Sequence, residues 1–161
     1  MAGLSPLIEC PPEQGDDHAM FPVKHSELIA NSLPGDTLEL CFGPEFGIGV
    51  RTLVGAAEGD LLDRFDGRIE PHVSQHSLQV APGAHIVDTR FIGYLSHGCE
   101  PNCALDMPAR SLVALRDIAA GELLRIDYSA TEDTLFADFA CACGAETCRD
   151  WITGRLGARA S

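Results

Sequence analysis

From Thr37 onward the apolar stretches of this chain are short and are separated by glycine, proline, aspartate and asparagine. TLELCF (37–42), GIGVRTLV (47–54), DLLDRF (60–65), HSLQV (76–80), HIVD (85–88), SLVALRDI (111–118) and ELLRIDY (122–128) follow one another in this way. Runs of that length stop short of the ~10–12 residues at which helical periodicity decides the matter, and turn-bounded apolar runs read as strands. The pattern predicts a mostly β fold with short helices. Two helices are expected, a weak one over HSELIANSL (25–33) before the punctuation PGD, and a last short one over RDWITGRL (149–156).

No repeat, low-complexity tract or linker divides the 161 residues. One globular unit is expected, burying roughly two-thirds of its unfolded surface. No apolar run approaches the ~18 residues of a membrane span, and the opening MAGLSPLIECPPEQGDD lacks the basic-then-apolar order of a signal peptide. A cytoplasmic protein with no membrane partner follows as the expectation. The formal net charge of −13 excludes a phosphate-tracking surface, so no direct nucleic-acid partner is expected and a basic peptide suits the field better. Ten of the eleven basic residues are arginine, Lys24 being the exception, which with the alanine and glycine bias suggests a GC-rich coding sequence of bacterial type.

Seven cysteines in such a chain point to metal or to catalytic thiolate, since disulfides are disfavoured in a reducing compartment. Cys10 and Cys41 stand alone, Cys99 and Cys103 lie five residues into and at the end of YLSHGCEPNC (94–103), and Cys141, Cys143 and Cys148 form CACGAETC. Zinc takes tetrahedral thiolates, and a C-x-C turn followed by the flexible Gly144 and a third cysteine can wrap three of them round one ion. The fourth ligand is Cys99 or Cys103, and spacing does not choose between them.

Three elements in series carry a family resemblance: LSHGCEPN (95–102), AGELLRIDY (120–128) and FACACGAETCR (139–149). In order and separation they are similar to the Asn-His-Ser-Cys-x-Pro-Asn, Gly-Glu-Glu-Leu-Thr-x-Asp-Tyr and Cys-x-Cys-Gly elements of SET-domain protein lysine methyltransferases with a post-SET zinc motif. Upstream, GIGV (47–50) resembles the family's Gly-x-Gly-Val, and LDRFDG (62–67) its Tyr-x-Gly strand, so the likeness spans roughly residues 38–152.

The resemblance implies a SET (β-clip) fold with a C-terminal pseudoknot, divided into an N-terminal extension packed on the domain (1–36), the SET domain (37–130) and a post-SET zinc-binding tail (131–161). It implies S-adenosylmethionine as cofactor, its adenine met by the main chain at Ser96 and His97 and stacked on Phe139, its methionine part by backbone around Ile48 and Gly49. Tyr128 takes the catalytic place, orienting a deprotonated lysine ε-amine. Phe65 stands where the family has its other active-site tyrosine, and Ile126 where an aromatic residue limits the number of methyl groups, so both are expected to line the substrate channel. The implied zinc ligands are Cys99, Cys141, Cys143 and Cys148, with Cys103 a neighbouring core thiol. Ser96 and Gly98 replace the family's Asn and Ser. The function implied is methyl transfer to a lysine of a basic protein or peptide. A small-molecule amine as acceptor, or a non-catalytic binding module of the same fold, are the alternatives that Phe65, Ile126 and Ser96 suggest.

Overall fold

The structure is a computed structural model that describes residues 35–157. The helix expected over 25–33 lies outside the described residues. Within them the chain forms twelve short strands: β1 Leu38–Gly43, β2 Gly47–Thr52, β3 Leu61–Arg64, β4 Arg68–Glu70, β5 Leu78–Ala81, β6 Ala84–Val87, β7 Ser96–His97, β8 Cys103–Asp106, β9 Ser111–Ala114, β10 Arg125–Ile126, β11 Phe139–Ala140 and β12 Trp151–Ile152. A 3-10 turn, Ile92–Tyr94, and one helical turn, α1 Tyr128–Thr131, complete it. The mostly β reading holds.

The strands pair into small sheets of two or three, β1-β2, β3-β9-β8, β4-β6-β5, β7-β10 and β11-β12. None of these is wide enough to bury a face alone, so their apolar residues meet in one shared cluster. Val50 of β2, Ile86 of β6, Leu112 of β9 and Leu124 just before β10 are fully buried there, together with Leu78, Phe91, Ile92, Leu95 and Ile126. Short strands need cross-links between sheets, and the backbone from Glu122 to Ile126 supplies the main one. On one side Thr52 N–H donates to Glu122 O (3.2 Å) and Leu124 N–H to Val50 O (2.8 Å). On the other, β10 pairs in parallel with β7, Arg125 opposite Ser96 and Ile126 opposite His97.

Asn102 locks this crossing. Its side chain is buried, its Nδ2 donates to Leu123 O (2.8 Å) and its Oδ1 accepts from Arg125 N–H (2.8 Å), while its own backbone N–H donates to Arg125 O (3.2 Å).

Two expectations are corrected. RDWITGRL is not a helix: Trp151 and Ile152 form β12, opposite Ala140 and Phe139. An eight-residue helix has little intrinsic stability, whereas pairing with β11 buries Ile152 and lets Cys141 N–H donate to Asp150 O (2.7 Å). Cys41, expected as a reduced thiol, is disulfide-bonded, while Cys99, Cys103, Cys141, Cys143 and Cys148 are free.

Asn102→Ala would leave Leu123 O and Arg125 N–H without partners inside the crossing. Each orphaned buried group costs about 1–3 kcal/mol, so urea denaturation followed by circular dichroism should show a loss of about 2–6 kcal/mol. Asn102→Asp, which would set a buried carboxylate oxygen against Leu123 O and near the Glu122 carboxylate, should be at least as destabilising. An alanine variant as stable as the parent would remove Asn102 from this role.

Candidate functional site

The β7–β10 register brings Leu95, Ser96 and His97 beside Ile126, Asp127 and Tyr128. There the chain leaves β10 and turns into α1, where Asp127 acts as N-cap, its Oδ1 accepting from Ser129 N–H (3.0 Å). Tyr128 is thereby placed at the first position of the turn, facing back onto β7. Its backbone N–H donates to His97 Nδ1 (3.2 Å) and its hydroxyl donates to Leu95 O (2.5 Å). The His97, Tyr128 and Phe139 rings meet edge to face, with centroids 5.2 to 6.0 Å apart.

Burial sets the protonation here. It pushes the Tyr128 phenol up to about 12, with the Glu132 carboxylate adding to the effect. It drives the His97 imidazole down to about 4, against the pull of Asp127. Both are neutral through the physiological range.

These residues form part of the wall of a cavity of about 760 Å³. Ile48, Ser96, His97, Ile126, Tyr128 and Phe139 all line it, so the structure gathers six of the residues singled out in the sequence. Gly49 lies behind them: a Cβ there would come within 2.9 Å of Ser96 Oγ and 2.8 Å of the Phe46 ring. Only glycine allows β2 to approach β7 this closely. The Ser96 hydroxyl is buried and has no hydrogen-bond partner, which is unusual for a buried polar atom. The size of the cavity, and a lining of apolar side chains with a few polar groups such as His97, Tyr128 and Glu132, fit a ligand of cofactor size.

Phe65 is not part of this wall. The residue following β3 packs into the central cluster, 8% exposed, with its N–H donating to Arg110 O (3.0 Å). The strand before it pairs with β9, and the ring joins the central cluster, against which Tyr128 also packs. Leu78, Tyr94 and Glu132 line the cavity instead. Tyr94 stood in the motif already, two residues before Ser96. Glu132 had no sequence signal: its carboxylate becomes a buried wall residue because both oxygens accept from Gln79 N–H (2.9 and 3.1 Å), a partner more than fifty residues away.

At the end of the cavity next to Phe139 stand four cysteines. The sulfurs of Cys99, Cys141, Cys143 and Cys148 all lie within 4.8 Å of one another, and Cys99 Sγ is 3.9 Å from Cys141 Sγ. Four thiolates at 2.3 Å from one zinc sit about 3.8 Å apart, so this donor set fits a closed tetrahedral site. The local turn exists because Gly144 takes φ +72°, a region that side chains disfavour. Burial holds the Cys141 thiol up at about 12, whereas Cys143, against its own burial, is drawn down to about 6 by backbone hydrogen bonds at Cys99 and Ala145. Cys103 lies apart, fully buried, its thiol donating to Arg125 O (3.4 Å).

Comparison with known proteins gives a consistent picture. A SET-domain family profile matches residues 47–129. The chain is 28% identical over 130 residues to the Aspergillus flavus protein named methyltransferase flvH, covering 78% of this chain and 73% of that protein. It is 35% identical over 77 residues to histone-lysine N-methyltransferase trr of Drosophila melanogaster, covering 42% of this chain and 3% of that protein. Among solved structures it resembles KRYPTONITE in complex with mCHG DNA and SAH, with a TM-score of 0.58 and 25% identity, over 71% of this chain and 28% of that one. The chain therefore spans less than a third of the latter two proteins.

The chain has two tyrosines, so phenol ionisation can be followed directly. Ultraviolet titration should show Tyr128 ionising near 12 rather than at the free phenol's ~10. Because the folded value lies above the unfolded one, the stability from the buried phenol is whole below about pH 10 and is lost as pH rises through the folded value. Tyr128→Phe should abolish the late component. A Tyr128 that titrates like free tyrosine would contradict the geometry.

Proposed function

The chain belongs to the family of SET-domain methyltransferases, and from that premise we propose that it uses S-adenosylmethionine to methylate a lysine ε-amine of a basic protein or peptide. The observation that carries the reading is the Tyr128 hydroxyl, neutral and held at 2.5 Å on the Leu95 carbonyl in the wall of the cavity. Because that hydroxyl spends its proton on Leu95, its oxygen lone pairs are left to accept an N–H from an entering amine. An amine held this way has its own lone pair oriented, and positioning is a large part of what an in-line displacement asks of a protein.

When bound, S-adenosylmethionine would supply an electrophilic methyl group on a sulfonium. The residues suited to hold it are Ile48, Ser96, His97 and Phe139, which line the cavity, with Gly49 letting β2 pack close behind Ser96. That the similar KRYPTONITE structure was solved with SAH supports this cofactor. A lysine ammonium, with a free pKa of ~10.4, must lose a proton before it can react. The apolar side chains of Leu78, Ile92 and Ile126 around the cavity favour the neutral amine. Ile126 lines the cavity with a smaller side chain than an aromatic residue would, which suits acceptance of more than one methyl group.

The four cysteines are proposed to bind one structural zinc, making residues 131–161 a post-SET tail around the SET domain of 37–130. The net charge of −13 favours encounter with a basic substrate.

Two outcomes test this reading. Labelled methyl transfer from S-adenosylmethionine to lysate, resolved by protein gel, should mark protein bands. Tyr128→Phe should bind the cofactor nearly as well and turn over roughly tenfold or more slowly. Label confined to small molecules would refute the substrate class, and equal turnover would remove Tyr128 from catalysis. Freshly purified protein should also carry about one equivalent of zinc, and Cys148→Ser should lose it. Metal-free protein would end the zinc assignment.

A further inference from the structure

The His97 side chain touches both the cysteine cluster and the turn that carries Tyr128. Its imidazole is buried, with Cys99 Sγ 3.5 Å from Nε2 on one edge and Tyr128 N–H 3.2 Å from Nδ1 on the other. The backbone N–H of Tyr128 can only donate, so Nδ1 must offer its lone pair and the ring proton must sit on Nε2. That proton faces sulfur. Nδ1 also lies 3.9 Å from Asp127 Oδ1, too far for a hydrogen bond and of the wrong sign with Nδ1 as acceptor; Asp127 is answered instead by Arg149 Nη2 at 2.6 Å.

We infer that the His97 side chain is a positioning residue that ties the four-cysteine site to Tyr128, its Nε2–H holding the Cys99 thiolate while Nδ1 fixes the Tyr128 backbone. The inference rests on the zinc reading above. Four thiolates round one zinc ion carry two excess negative charges, and N–H groups aimed at the sulfurs from outside the ligand set stabilise them. Cys99 receives such groups from His97 and from Arg149, whose backbone N–H lies 3.4 Å away. Arg149 then reaches by its guanidinium to Asp127, the residue that caps α1. Two arms thus run from one sulfur to the same helical turn, through His97 to Tyr128 N–H and through Arg149 to Asp127. With that turn fixed at both points, the phenol is aimed at Leu95 O without any side-chain contact of its own to the cysteines.

The two edges of the ring can be removed one at a time. His97→Asn keeps an acceptor near the Nδ1 position and lacks a donor long enough to reach Cys99. His97→Gln extends an amide N–H toward Cys99 and leaves Tyr128 N–H without its acceptor. The measurements are zinc retention against a competing chelator and the 19F resonance of Tyr128 in fluorotyrosine-labelled protein, where Tyr94→Phe assigns the two signals. Zinc content of the unmutated protein comes first, and its absence would overturn the zinc reading and this inference with it. With zinc present, His97→Asn should release metal about 10–100-fold more readily with the Tyr128 signal in place. His97→Gln should retain metal and displace the signal. Parental zinc retention in both variants would overturn the inference, as would equal metal loss with equal displacement of the signal in both, which is the mark of general core damage.

Discussion

The passage of residues 122–126 between β2 and β7 is the constraint on which the rest of this structure depends. Each small sheet has too little area to be stable alone, and these five residues are hydrogen-bonded on both sides. The backbone bonds to Val50, Thr52 and Ser96–His97 join the hairpin of β1 and β2 to the LSHGC segment, and Asn102 closes the crossing with both ends of its amide. A chain threaded in this way cannot shift register by one residue without orphaning several buried groups at once. That is why the residues emerging from it, Asp127 and Tyr128, are placed so closely.

The site beside the crossing is built for neutral groups. Tyr128 keeps its proton because its surroundings are apolar and because Glu132 already contributes negative charge nearby. His97 loses its proton by the same burial. A charged imidazole at this position would have to donate from both nitrogens, and Tyr128 N–H would meet a second donor instead of a lone pair. Desolvation therefore does two things here: it keeps the imidazole neutral, as the hydrogen bond from Tyr128 N–H requires, and it leaves a cavity in which an amine is more easily held uncharged.

Much of this was legible in the sequence because the chemistry-bearing residues sit in short local motifs. Ser96, His97, Cys99 and Asn102 come from eight consecutive residues, and the three tail cysteines from another eight. Spacing left Cys99 and Cys103 open, and alternation along β8 explains the outcome, since Cys103 opens a strand and points into the core while Cys99 lies in the turn before it. A strand motif fixes a residue's position along the chain but not what surrounds it, and Phe65, just after β3, joins the central cluster against which Tyr128 packs. RDWITGRL misled because its partner, Phe139–Ala140, is brought to it only by the cysteine turn. Glu132 was invisible for a related reason, its burial depending on Gln79, and no local pattern encodes a contact of that range.

The Gln79 contact also explains how the cavity is bounded. Gln79 N–H is held by Glu132, Gln79 Nε2 donates to Asp133 Oδ2 (2.6 Å), and Asp133 N–H donates back to Gln79 Oε1 (2.7 Å). Arg155 Nε donates to the other Asp133 oxygen (2.8 Å), and Gly154 packs so tightly on this clasp that a Cβ would come within 2.3 Å of Asp133 O. The segment 134–138 is therefore pinned at both ends, by the clasp on one side and by β11 and the cysteine turn on the other. Leu135 and Phe136 lie between those anchors and line the cavity. Phe136 remains 64% exposed, so an apolar ring stands among the cavity-lining residues at the surface while Tyr128, its hydroxyl bound to Leu95 O, stands within. The width of that opening follows from the length of chain between Asp133 and Phe139, and so from where the two anchors fall in the sequence rather than from any contact the segment makes itself.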